Sequence, residues 1–217
     1  MPKDGDEEQL RELTELYQVV KEIIIYCEEV DGNMIGMPIL NELRNSFDHL
    51  MRVNALHFGL KSTEEEDYKT DNMKKAYGHL YRAGYDALDW VCLTLRGRIV
   101  GEVQDFSLET INAVFPEYYK DIRPELVDIE TKIGKIRQEK DVGEKNLSNF
   151  ASYVNIMKTL KGHYKLALKK KPGMIEYEQK KEKEKKKDRR REITTEIIIG
   201  IILALIAGAI GYYLGAR

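Results

Sequence analysis

The sequence predicts an all-α protein: a helical bundle of about five helices, then a charged tether and one transmembrane helix. Three observations carry this. Apolar residues recur at three- and four-residue steps along most of the chain. No sustained alternation or hairpin turn pair signals a strand. Residues 197–214 form an eighteen-residue stretch without a charge. A third of the 217 residues are charged and only five are proline, which suits helices. The expected organisation is a bundle over 1–171, a tether over 172–192 and an anchor over 193–217.

The first helix is expected over about 10–30, where Leu10, Leu13, Leu16, Tyr17, Val20, Ile23 and Ile24 make one stripe. Asp31-Gly32-Asn33 ends it with turn chemistry. Pro38 opens the second helix, a position where its missing N–H costs nothing, and the helix runs to about Phe58 or Leu60. Leu40, Leu43, Phe47, Leu50, Met51 and Asn54 fall in one arc about 100° wide, the expected buried face. Asn41, Asn45, Asp48, His49 and Arg52 lie roughly opposite.

Residues 61–67 read as an acidic loop, and a long third helix is expected from Tyr68 to Leu95. On it His79, Arg82 and Asp86 share one face and Leu80, Ala83, Ala87 and Val91 another. Ala76, Ala83, Gly84 and Ala87 would admit a closely packed neighbour. Arg96-Gly97 onward is expected to break that helix. Ser107 is suited to cap a short helix over 108–115, and Pro116 and Pro124 bound an irregular section before a helix over 125–139. Leu147, Phe150, Val154, Met157, Tyr164 and Leu168 mark the last bundle helix, with Pro172-Gly173 as the domain boundary.

Charge is divided along the chain. Residues 165–192 carry 13 Lys/Arg against 6 Asp/Glu, whereas the residues before Lys165 carry 21 against 30. An acidic bundle argues against broad nucleic-acid binding, which needs a basic surface, but leaves room for a small basic cleft. Cys27 and Cys92 sit in apolar runs and read as buried, reduced thiols. No Cys/His cluster has metal-ligand spacing, and no P-loop or dinucleotide glycine fingerprint is present. The expectation is therefore no metal and no cofactor.

The 197–214 stretch is just long enough to cross a hydrocarbon core of about 30 Å. Lys/Arg residues flank it on the N-terminal side and Tyr212-Tyr213 on the other, as anchors do. This predicts a single-pass membrane protein with the N-terminal domain cytoplasmic, and with the basic run near anionic lipid headgroups. Gly200, Ala204, Gly208, Gly211 and Gly215 form a small-residue seam that would allow self-association.

Arg44-Asn45, three residues, then His49 resembles the signature of the HEPN superfamily, small helical-bundle domains. The resemblance covers roughly 10–168. It implies a metal-independent endoribonuclease whose site forms across a homodimer, with His49 as general acid or base, Arg44 on the scissile phosphate and Asn45 orienting the imidazole. Arg52, His79 and Arg82 are then candidates for binding the RNA substrate. Prokaryotic relatives of this kind often act as toxins or anti-phage effectors, while many others are inactive assembly modules. The alternative is a non-catalytic, membrane-tethered module that dimerises or recruits a partner. In it Arg44 would pair with Asp48, Arg82 with Asp86, and His49 would be an ordinary interface histidine.

Overall fold

The computed structural model describes residues 4–32, 36–63, 67–139 and 147–215. Among these the chain is helical and contains no strand. Six α-helices follow in order: α1 (Asp4–Asp31), α2 (Met37–His57), α3 (Tyr68–Gly101), α4 (Leu108–Val114), α5 (Arg123–Gln138) and α6 (Leu147–Gly215). A π-helical turn, Tyr118–Ile122, leads into α5. Parts of the expected 61–67 loop and of the Asp31-Gly32-Asn33 turn lie outside the described residues, but Gly32 takes a left-handed φ of 78°, which a helix-ending glycine accepts without strain.

α3 is the helix against which α1, α2 and α6 all pack. Its small residues explain why three neighbours fit. Ala76, Ala83 and Ala87 are fully buried. A Cβ added at Gly84 would come within 2.8 Å of the Phe150 ring and 2.9 Å of Val20, so α1 and α6 both close on that glycine. Around it Tyr81, Tyr85, Phe150 and Tyr153 make edge-on and tilted ring contacts at 4.9–6.0 Å. Cys27 and Cys92 are buried thiols, and burial pushes both up to about 12, which leaves them unreactive.

Two expected boundaries fall elsewhere. Arg96-Gly97 does not end α3, which continues to Gly101. Leu88, Leu95 and Ile99 prolong a fully buried stripe, and its burial outweighs the roughly 1 kcal/mol a helical glycine costs. Arg96 also pairs with Glu130 of α5 at 2.6 Å. Pro172 likewise lies inside α6. An internal proline costs about 3 kcal/mol or more, and contacts on either side oppose that cost. Lys170 binds Glu117 at 3.0 Å, Lys171 binds Glu102 at 2.7 Å, and Met174 is fully buried.

The start of the expected tether is therefore docked. The Ser107 hydroxyl caps α4 by accepting from the Thr110 N–H, and Glu178 of α6 accepts from the Ser107 N–H at 3.0 Å and the Thr110 hydroxyl at 3.1 Å. Lys181 pairs with Glu109. Beyond this the helix is exposed. Its apolar end has a mean hydropathy of 2.0 over its most apolar eighteen residues, none buried, and is long and apolar enough to cross a membrane.

The orientation of α2 also differs from expectation. Ile39, Ser46 and Val53 are its buried residues, while Leu43 and Leu50 are only half-buried and Leu40, Phe47 and Met51 are 41, 61 and 39% exposed. Ser46 lies at the centre of the contact because its hydroxyl donates to the Ala76 carbonyl at 2.8 Å. Two small residues let the helices close together, and the larger arc is left to one side.

This rotation is measurable. Leu88→Ala should cost about 2–5 kcal/mol, whereas Phe47→Ala should change stability by about 0.5 kcal/mol or less. Chemical denaturation of the two variants checks the difference, and equal large losses would place Phe47 in the core.

Candidate functional site

The rotation of α2 turns Glu42 and His49, both half-buried, toward α3. There they meet Asn72, His79 and Arg82, which recur on one face of α3 at steps of seven and three. The His49 and His79 rings stack, with centroids 5.3 Å apart and planes 14° from parallel. Each imidazole has a different partner on its Nδ1.

His49 Nδ1 lies 2.8 Å from Oδ1 of Asn72. Asn72 is 5% exposed, and its Nδ2 donates to the Tyr68 carbonyl one turn back at 2.7 Å. With the amide nitrogen committed to a carbonyl, the amide oxygen faces the ring as an acceptor. His49 therefore carries its proton on Nδ1 in the neutral form, and Nε2, unpaired among the described residues, is the nitrogen able to take another. Ordering one ring nitrogen to prepare the other is how enzymes orient a catalytic imidazole.

His79 Nδ1 lies 2.7 Å from Glu42 Oε2 and 2.7 Å from Arg82 Nη2. A single nitrogen cannot donate to one and accept from the other at once. A carboxylate only accepts, so the contact with Glu42 places the proton on Nδ1, and Arg82 reaches the same carboxylate oxygen through Nε at 3.0 Å. Glu42 thus bridges an imidazole and a guanidinium. Burial alone would raise its carboxyl, but hydrogen bonds from His79 and Arg82, and their charges, hold it below its ordinary value of 4.5.

The residues expected from the sequence separate into two groups. His49, His79 and Arg82 come together. Arg44 is exposed and makes no ion pair or hydrogen bond among the described residues, since α2 is turned to present its neighbours to α3. Asn45 shares the helix face of Glu42 and His49, but the amide that orients His49 is that of Asn72. Arg52 is paired with Asp48 at 2.8 Å and exposed, so Asp48 is engaged by Arg52 rather than by Arg44. Arg82 takes Glu42 as its carboxylate.

Glu42 and Asn72 were not singled out in the sequence. Their signal was there: Glu42 lies seven residues before His49, and Asn72 seven before His79, so each pair shares a helix face. Among the described residues no group of three or more His, Cys, Asp or Glu is placed to hold a metal ion. The cluster can orient and transfer protons, and its guanidinium, shared with Glu42, is the nearest fixed cation.

Glu42 gives a signed pH dependence. A carboxyl whose folded pKa is depressed contributes stability above its unfolded value, and that contribution is lost as pH falls through the folded value. The stability margin of wild type over Glu42→Gln should therefore be present at neutral pH and shrink once pH drops below 4.5. Denaturant titrations of both proteins across that range check this. A margin that persists in acid would mean that Glu42 acts through packing rather than charge. Compared with known proteins, the chain matches no family model, no curated protein and no solved structure.

Proposed function

We propose that the protein is a membrane-tethered, HEPN-like helical protein that cleaves RNA without a metal, with His49 as the proton-transferring residue. The observation that supports this best is the Asn72 hydrogen bond, which leaves Nε2 of His49 as a free acceptor. In this reading Nε2 removes the proton from a ribose 2′-hydroxyl. The oxygen attacks the adjacent phosphorus, the bond to the 5′-oxygen breaks, and the products are a 2′,3′-cyclic phosphate and a 5′-hydroxyl that takes up a proton. His79, stacked on His49, lies close enough to share substrate contacts.

Negative charge on the phosphate needs a cation with a fixed fork of donors, which an arginine supplies. Arg44 has no partner of its own among the described residues and is the candidate, acting across a homodimer. Arg82 is already shared with Glu42. The anchor would hold this activity at the cytoplasmic face of a membrane, with α6 running from the domain into the span and the cations of 180–191 near the headgroups. A toxin or anti-phage role is consistent with an enzyme confined in this way.

The exposure of Leu40, Phe47 and Met51 favours a second reading. A monomer rarely leaves a row of large apolar residues bare, so the same face suits a non-catalytic module that dimerises or recruits a partner.

Purified protein should cut single-stranded RNA in the presence of chelator, leaving cyclic phosphate ends. Loss of a general acid or base should lower the rate about 10²–10⁴-fold in His49→Ala, while stability changes far less. If wild type and His49→Ala behave alike in cleavage and in growth arrest on overexpression, the module reading stands and the nuclease falls. For the anchor, full-length protein should sediment with membranes and resist a high-salt wash, and protein lacking 193–217 should not. Release by salt alone would mean a surface-bound segment.

A further inference from the structure

A sizeable cavity lies away from the imidazole pair. It is an open groove of about 750 Å³ between α1 and α6. We propose that this groove is the docking site for an amphipathic helix of a partner protein, one that carries cations along one flank and carboxylates along the other.

Shape is the first argument. α1 and α6 both rest on α3. They run in the same sense: Val20 and Phe150 both close on Gly84, and further along both helices the Lys161 ammonium sits 3.7 Å over the Tyr26 ring. The lining runs from Glu12 to Tyr26 on α1 and from Leu147 to Lys161 on α6, roughly 20 Å along each helix at 1.5 Å per residue. That length takes about four turns of a third helix. Leu16 and Ile23 of α1, Tyr77 of α3, and Phe150, Val154 and Met157 of α6 form an apolar floor. Val19 and Leu147, 39 and 53% exposed, stand at its edges. A floor of this kind accepts apolar side chains at i, i+3, i+4 and i+7 of a docked helix.

Charge is the second argument, and it selects the partner. The α1 rim carries Glu12, Glu15, which Arg11 pairs at 3.0 Å, and Glu22, and the α6 rim carries Lys158 and the Tyr26-bound Lys161. Glu22 and Lys158 are exposed and have no ion-pair partner among the described residues. A row of carboxylates repels nucleic acid and anionic lipid, and the opposing lysines disfavour a wholly cationic ligand. Only a helix with both signs, one on each flank, is complementary to both rims, and such matching governs partner choice more than raw affinity.

The test uses full-length protein in lipid nanodiscs, with empty nanodiscs as baseline. The probes are three fluorescein-labelled amphipathic peptides with the same leucine face. One has lysine on one flank and glutamate on the other, one has lysine on both, and one has glutamate on both. Fluorescence anisotropy should show the mixed peptide binding most tightly. Glu15→Lys/Glu22→Lys, which makes both rims basic, should weaken the mixed peptide roughly fivefold and favour the all-glutamate one. Ala151→Arg, an exposed position in the groove, should abolish binding of all three while the circular dichroism stays that of wild type. Equal affinity for the three peptides, no binding up to about 1 mM, or indifference to Ala151→Arg would overturn the proposal. So would self-association of the protein that Ala151→Arg dissolves, because the groove would then take a second copy of this chain. RNA cleavage plays no part in these readouts.

Discussion

The close approach permitted by the small residues of α3 sets the rest of the architecture. Gly84 lets Phe150 and Val20 reach the helix backbone from two sides, and Ala76 lets Ser46 do so from a third. At interior packing densities an added methyl at such a point forces neighbours off their positions. Because α1, α2 and α6 all seat on one helix, they need not pack on one another, and grooves remain between them. The cavity between α1 and α6 is one such groove. The narrower one of about 450 Å³ between α1 and α2, lined by Leu10, Tyr17, Leu43 and Phe47, is another.

The same constraint creates the imidazole pair. Seating Ser46 on Ala76 fixes the rotation of α2, and that rotation carries Glu42 and His49 against Asn72, His79 and Arg82. A polar group held between two packed helices must be paired, and here the pairing is reciprocal. Asn72 serves the Tyr68 carbonyl and the His49 ring, and Glu42 serves His79 and Arg82. The result is two parallel rings with distinct hydrogen-bond partners on a rigid frame, as proton transfer requires.

α6 joins this frame to the apolar segment without a break in the helix. Glu178 and Lys181 fasten its middle to α4, and Met174 is fully buried, beyond the proline that would ordinarily end the helix. From Met174 to Ile197 the helix spans roughly 35 Å. Ion pairs along that span, such as Glu182 with Lys186 at 2.6 Å, favour helix over coil. A helix of this kind keeps the domain at a set distance from the apolar segment.

The sequence by itself determined the helical class, the order of the helices, the Ser107 cap, the buried thiols and the eighteen-residue apolar stretch. All of these follow from local periodicity, capping chemistry and length, which need no knowledge of neighbours. The close approach at Ala76 and Gly84 was also legible, since small residues at helical spacing have few other uses. Tertiary structure decided what periodicity could not. Leu40, Phe47 and Met51 define an arc as regular as the buried one at Ile39, Ser46 and Val53, and only the facing surface of α3 chose between them. Gly97 and Pro172 are local breakers, overruled by Leu95 and Ile99 in one case and by Met174 and its flanking ion pairs in the other. Of the candidate site, His49, His79 and Arg82 were visible as polar residues on helix faces. Their meeting with Glu42 and Asn72, and the separation of Arg44 from them, depended on the rotation of one helix against another, which hydrogen bonding and close packing across the interface set.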